Sequence, residues 1–264
     1  MRVLVALNHP RTNLGTVGLA LAEAGATLDI VQCHEGEALP ATHDGFDALV
    51  VYGGGQNALA DDEHPYLPHL AGLTRAFGEA GKAVLGICLG SQIIARGHGA
   101  KNIIGREIEF GWQEIRPTPA GRDDPMIAAL GEGAALFEWH NDTFELPEGA
   151  VHLAENAHTR HQCFRIGRAV YACQFHFEAH RQAVGEWVED YAELIAREVP
   201  GWLDRYGEEA GTRGAEADAT GMAIARAWVG LIRPDAAAET ADQSASMVTP
   251  WSPTPISSAL SFSS

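Results

Sequence analysis

Two short segments of this sequence have the residue types and spacing for nucleophilic catalysis. Gly86-Ile87-Cys88-Leu89-Gly90-Ser91-Gln92 sets a cysteine between glycines. If a buried strand ends there and a helix begins, the turn projects the thiol above the sheet edge, and the glycines remove Cβ clashes the turn would otherwise create. The same turn aims the Leu89 N–H at the place where an oxyanion forms, and the helix N-terminus behind it favours a thiolate. A free cysteine is most often a small buried core residue. The strand, Gly-x-Cys-x-Gly and helix setting reverses that weighting.

A cysteine nucleophile needs a base and a group that orients the base. Gln174-Phe175-His176-Phe177-Glu178 supplies both: on extended backbone His176 and Glu178 leave the same face, so the carboxylate can fix the imidazole tautomer. With 12 histidines in the chain, one His-x-Glu pair alone carries little weight. Tyr52-Gly53-Gly54-Gly55-Gln56 lets backbone N–H groups approach a ligand, which makes Gly54 a candidate second oxyanion donor, although a flexible turn explains the glycines equally well. In Trp139-His140-Asn141-Asp142, Asp142 can receive a substrate ammonium or act as a turn residue or helix cap. Cys173, His176 and His180 have a spacing suggestive of zinc. No second cysteine pair lies nearby, and alternation sends Cys173 and His176 to opposite faces of a strand, so no metal site is expected.

The elements that must hold these residues are legible. Val3 to Leu7, Thr27 to Gln32, Ala48 to Tyr52 and Ala83 to Ile87 are nearly continuous apolar runs, as strands covered on both faces require. Val17 to Ala24 and Tyr66 to Ala80 read as helices between them, closed by Gly25 and Gly81. This alternation predicts an α/β fold, a doubly wound and mostly parallel sheet with helices on both faces. From about Trp112 the pattern changes to shorter strands: Trp112 to Arg116, Ala134 to Trp139, Val151 to Ala154, Gln162 to Ile166 and Val170 to Phe175. The last two are predicted to form a hairpin turning at Gly167 and Arg168. Two helices follow, Ala179 to Glu198, with Ala183, Trp187, Tyr191, Leu194 and Ile195 on one face, and Ala215 to Ile232. The catalytic domain is therefore expected over residues 1–234, and residues 235–264, rich in Ala, Ser, Thr and Pro, read as a disordered tail.

Composition narrows the function. Hydrophobic residues make up 46% of the 264, enough for a core, and 35 Asp and Glu against 18 Lys and Arg give a charge of -17. Such acidity opposes binding to nucleic acid or anionic membrane. No run approaches the ~18 apolar residues of a membrane span. Four cysteines and no signal-peptide pattern predict the reducing cytoplasm.

Taken together, these segments resemble class I glutamine amidotransferases, a flavodoxin-like fold, and within them the stand-alone branch similar to the glutaminase domain of GMP synthase. Glu109-Phe110-Gly111-Trp112 resembles that branch's E-I-G-W segment, and the stretch from Trp139 to Pro147 its W-H-G-D-T-F-x-L-P segment. The five segments occur in the family's order across residues 1–232. The resemblance implies Cys88 as nucleophile, His176 as general base and acid, Glu178 as orienting carboxylate, and Gly54 and Leu89 at the oxyanion hole. Gln92 and Asp142 match positions associated with glutamine binding, and His140 is counted with them as a substrate-binding candidate. Phe177 stands where the family has proline and is expected to point away from the triad. Asn141 replaces a glycine.

The implied activity is hydrolysis of the glutamine side-chain amide through a γ-glutamyl thioester, with no metal or organic cofactor. No further nucleotide-binding unit or phosphate loop is read after the triad, so the ammonia is expected to serve a separate synthetase subunit, if any. Two alternatives stand beside this: a γ-glutamyl peptide hydrolase using the same thioester, and a catalytically silent regulatory module that keeps the fold. A DJ-1-like cysteine protein would fit the elbow but leave His176 and Glu178 unexplained.

Overall fold

In the computed structural model, which describes residues 1–233, the predicted apolar runs form the parallel half of a nine-stranded sheet. The tail expected from residue 235 lies outside the described residues. The strands are β1 (Arg2–Leu7), β2 (Thr27–Gln32), β3 (Ala48–Val51), β4 (Ala83–Ile87), the short β5 (Asn102–Ile103), β6 (Glu109–Pro117), β7 (Ala134–His140), the short β8 (Thr143–Phe144), β9 (Val151–Glu155), β10 (Cys163–Ile166) and β11 (Val170–Cys173). Their order is β2-β1-β3-β4-β11-β10-β9-β6-β7, with β5 and β8 paired separately. From β2 to β11 neighbours run parallel; from β11 to β7 they run antiparallel, so the change of pattern near Trp112 marks the change of strand direction.

The helices are α1 (Gly15–Glu23), α2 (Leu67–Glu79), α3 (Leu89–Gly97), the single-turn α4 (Pro119–Arg122), α5 (Arg181–Glu198), α6 (Trp202–Gly211) and α7 (Arg213–Val229). Successive residues of β1 enter two different cores. Val3 and Val5 pack with Val17 and Leu21 of α1 and Ile224 and Trp228 of α7. Leu4 and Ala6 pack with Leu70 and Phe77 of α2 and Ile93 of α3. Helices thus cover both faces, and alternation vanishes from the strand because each face is buried.

Three expectations are corrected. The strand begun at Val170 ends at Cys173, and beyond it the chain keeps one bridge, between His176 and Phe137 of β7. The helix expected from Ala179 starts at Arg181, because the His180 side chain caps it by accepting from the Ala183 N–H. Three helices follow the triad instead of two. The unpredicted one, α6, is amphipathic: Leu203, Tyr206 and Ala210 pack against the core beside Trp202, which is 2% exposed and meets Phe110 edge-on at 4.8 Å.

Candidate active site

The elbow between β4 and α3 has the predicted geometry. Cys88 has φ 52 and ψ -112, and among the described residues no other non-glycine has positive φ. That conformation is costly for an L-residue and is kept because its surroundings leave no alternative. The Cys88 N–H donates to the Cys173 carbonyl at 2.8 Å, tying the turn to β11. A Cβ on Gly86 would overlap the Gly90 backbone, and one on Gly90 would overlap the Val51 carbonyl at the end of β3. Both glycines are therefore required by close packing.

His176 and Glu178 are in contact, Nδ1 to Oε1 at 2.7 Å. Since the carboxylate accepts, Nδ1 carries the proton and Nε2 is the nitrogen left for the thiol and substrate. Two further contacts fix the imidazole: the His176 N–H donates to the Phe137 carbonyl at 2.7 Å, and the Trp187 ring meets it edge-on at 5.2 Å. The Glu178 carbonyl accepts from the Thr16 N–H at 2.9 Å, so α1 braces Glu178. Gly15, with φ 54, has no room for a Cβ against that carbonyl. Phe177 is buried against Phe175, away from the triad, as expected. Burial alone would lower the affinity of His176 for its second proton, but Glu178 and then Cys88 outweigh it and hold the ring well above its usual range. The imidazole is thus biased towards its charged form.

The glycine loop passes directly over this pair. A Cβ on Gly53 would lie 3.2 Å from the His176 ring and 3.3 Å from the Cys88 Cβ, and one on Gly54 would lie 3.1 Å from the Leu89 side chain. Gly54 and Leu89 are therefore neighbours, and Leu89 opens α3, where backbone N–H groups lack partners within the helix. Asn8, at the end of β1, pins the loop by donating to the Tyr52 carbonyl at 2.7 Å. Sequence reasoning passed over it, although a buried polar residue closing an apolar strand is a signal.

Gln92, His140 and Asp142 also come together. Gln92 Nε2 donates to the Asp142 carbonyl at 3.1 Å and to Gln174 Oε1 at 3.2 Å, and His140 Nδ1 donates to the same Asp142 carbonyl at 2.9 Å. The Asp142 carboxylate accepts from the Gly105 N–H at 2.7 Å. All three border a polar cavity of about 370 Å³ beside Cys88, with Glu198 at its edge. On the other side of Cys88, a second cavity of about 240 Å³ is bounded by His176, Trp139, Trp187, Tyr191 and Leu194. Trp187, Tyr191 and Leu194, on the face of α5 read from the sequence, are half-buried and form this wall.

The residues with zinc-like spacing do not converge. His176 pairs with Glu178, His180 caps α5, and the Cys173 thiol faces Cys163 at 3.5 Å. A different buried cluster went unread. His140 Nε2 lies 3.3 Å from Glu109 on the facing strand and 3.3 Å from Glu138, two residues earlier on its own strand. Glu138 is 0% exposed, and burial pushes its carboxyl up to about 7. Burial also opposes charge on His140, but the two carboxylates prevail and raise it to about 10. Glu109 is held below the usual carboxylate range, its contact with His140 outweighing burial.

Glu138 and His140 both bind protons more tightly in the folded chain, so stability falls as pH rises, from 4.5 to about 7 for Glu138 and from 6.5 to about 10 for His140. Glu109 acts in the opposite sense, but only as pH falls below its ordinary 4.5. Each group can contribute a slope of at most ~1.4 kcal/mol per pH unit. Glu138→Gln is expected to flatten the lower window and to narrow the upper one, since Glu138 is one of the two carboxylates that raise His140. Urea midpoints measured from pH 5 to 9 check this, and an unchanged slope below pH 7 would refute it.

A family model described as glutamine amidotransferase class-I matches residues 16–190. The chain is 35% identical over 199 residues to the glutamine amidotransferase-like protein YfeJ of Salmonella typhimurium, covering 74% of this chain and 83% of that one. It is 28% identical over 153 residues to gamma-glutamyl peptidase 3 of Arabidopsis thaliana, covering 55% and 60%. The crystal structure of a glutamine amido transferase from Methylobacillus flagellatus superposes with a TM-score of 0.76 at 24% identity, covering 89% of this chain and 96% of that one, a likeness of fold.

Proposed function

Because the chain belongs to the class I glutamine amidotransferase family, a family of enzymes, we propose that it hydrolyses a γ-glutamyl amide, glutamine being the simplest, through a thioester on Cys88. The observation that carries this reading is the convergence at one cavity of a cysteine in a constrained elbow and a His176–Glu178 pair at 2.7 Å.

The Cys88 thiolate attacks the side-chain amide carbon, forming a C–S bond and placing negative charge on the former carbonyl oxygen. The N–H groups of Gly54 and Leu89 receive that charge, each such donor being worth ~3 kcal/mol in the transition state. His176 gives its proton to the amide nitrogen as the C–N bond breaks, and ammonia leaves. The now neutral imidazole takes a proton from water, whose oxygen attacks the thioester; the C–S bond breaks and glutamate departs. Gln92, His140 and Asp142 hold the glutamyl part in the polar cavity. No step calls on a metal or organic cofactor.

With glutamine as substrate, the ammonia is available to a separate synthetase subunit, and copurification from the native cell followed by identification of bound synthetase tests that assignment. The four cysteines are free and buried, which suits a cytoplasmic enzyme. Among the described residues no helix is long and apolar enough to cross a membrane.

The purified protein should release glutamate and ammonia in equal amounts from glutamine, and an alkylating glutamine analogue should label Cys88. Failure of both would sink the reading. Glu178→Gln is expected to lower kcat by about 10²- to 10⁴-fold with little change in KM, since it removes the anion that orients and charges His176 without touching the substrate. Steady-state glutamate release measures the split.

A further inference from the structure

We propose that the cavity on the His176 side of Cys88 receives the leaving amine, and that the preferred substrates are γ-glutamyl amides of bulky apolar amines, aromatic ones above all. This rests on the thioester chemistry just described and assigns its substrate class.

The two cavities meet at the nucleophile, so the scissile bond must lie across their junction. The acyl half belongs with the oxyanion donors and the polar side chains of Gln92 and Asp142. The nitrogen that departs must be protonated by His176, which borders the other cavity. Which cavity takes which half of the substrate is therefore fixed by the acid.

Ammonia needs almost no room and gains nothing from apolar walls. The cavity offered to it is about 240 Å³ and is walled by Trp139, Trp187, Tyr191 and Leu194, whereas an apolar cavity of about 150 Å³ already admits benzene. The wall is built and held. Trp139 meets Trp187 edge-on at 5.8 Å and Tyr191 at 5.6 Å. Helix α5 bends at Tyr191, where φ is -125 and ψ is 21, so that Trp187 before the bend and Leu194 after it both face the cavity. The loop after β1 is clamped to α5 by Arg11 and Asp190 at 3.2 Å, by Asn13 and Glu186 at 3.1 Å, and by His9 and the Tyr191 hydroxyl at 3.3 Å. A preformed aromatic cleft beside a general acid suits an amine carrying a ring, whose apolar surface it removes from water.

In the reaction the thiolate displaces R-NH2 from the γ-carbonyl, His176 supplies the proton to its nitrogen, and water restores the carboxylate. Nothing else is consumed.

The test measures kcat/KM for γ-glutamylphenylalanine, γ-glutamylglycine and glutamine. The phenylalanine compound should exceed each of the others by at least tenfold. Leu194→Arg, which puts a charge into the cleft, should cut the preference for phenylalanine over glycine to less than threefold, and Trp187→Ala serves as a second variant should the first fold poorly. A wild-type enzyme that uses glutamine or γ-glutamylglycine as well as γ-glutamylphenylalanine overturns the assignment and leaves the Cys88 chemistry standing. A tenfold preference kept by both folded variants overturns the location. Failure to turn over any of the three, with Cys88 unlabelled by the alkylating analogue, overturns the activity and this assignment together.

Discussion

Replacing Cys88 with serine is expected to lower kcat for glutamate release by at least about 10⁴-fold, while substrate binding survives. A hydroxyl would sit where the thiol sits, but it would need a neutral imidazole to take its proton. Glu178 favours the charged ring, so the histidine is poor as a base towards a hydroxyl that resists ionisation far more than a thiol does. The oxyanion donors and the polar cavity are untouched by the change, which separates loss of chemistry from loss of binding. Glutamate release at saturating substrate gives the first quantity, and a thermal shift with glutamine gives the second. Residual activity above about one per cent of wild type would mean that another group attacks the amide, since losing a triad nucleophile ordinarily costs far more than a hundredfold.

The second large effect is on the fold. Gly90→Ala is expected to destabilise the protein by about 3 kcal/mol or more and to remove activity with it, because the added methyl would meet backbone and not a movable side chain. The Val51 carbonyl it meets belongs to β3, the strand that runs directly into the Tyr52-Gly55 loop over Cys88. Relief by moving α3 displaces the Leu89 N–H; relief by moving β3 displaces Gly54. Either shift disturbs the oxyanion site, so urea unfolding and kcat should fall together. A variant within 1 kcal/mol of wild type and fully active would show that the contact between α3 and β3 has more give than its geometry allows.

The parallel strands, the elbow at Cys88 and the contact of His176 with Glu178 were legible in the sequence because each depends on local patterns: an apolar run, a Gly-x-Cys-x-Gly turn, and a histidine and glutamate two apart. What escaped depends on partners distant in the chain. Asn8 matters because the loop after Tyr52 folds onto it. Glu138 and Glu109 become one ionic cluster only when β6 pairs with β7 in the register that sets Glu109 opposite His140. Trp187 and Tyr191 have the spacing of core residues, and only the placement of α5 beside Cys88 makes them a cavity wall. Helix α6 has an apolar face in Trp202, Leu203, Tyr206 and Ala210, but what that face covers, Phe110, Trp112 and Phe137, lies far away in the chain.

The sheet order also has a consequence for how the enzyme comes into being. Strand β4, which ends at the elbow, is flanked by β3 from earlier in the chain and by β11, which does not exist until synthesis passes residue 170. Until then the Cys88 N–H lacks the Cys173 carbonyl that receives it in the finished molecule, and His176 and Glu178 have not been made. A nascent chain therefore holds Cys88 without the backbone partner and the side chains that surround it in the folded domain. Closing the long-range pairing of β4 with β11 is an intrinsically late event, and it brings Cys88, His176 and Glu178 together as it completes the centre of the sheet.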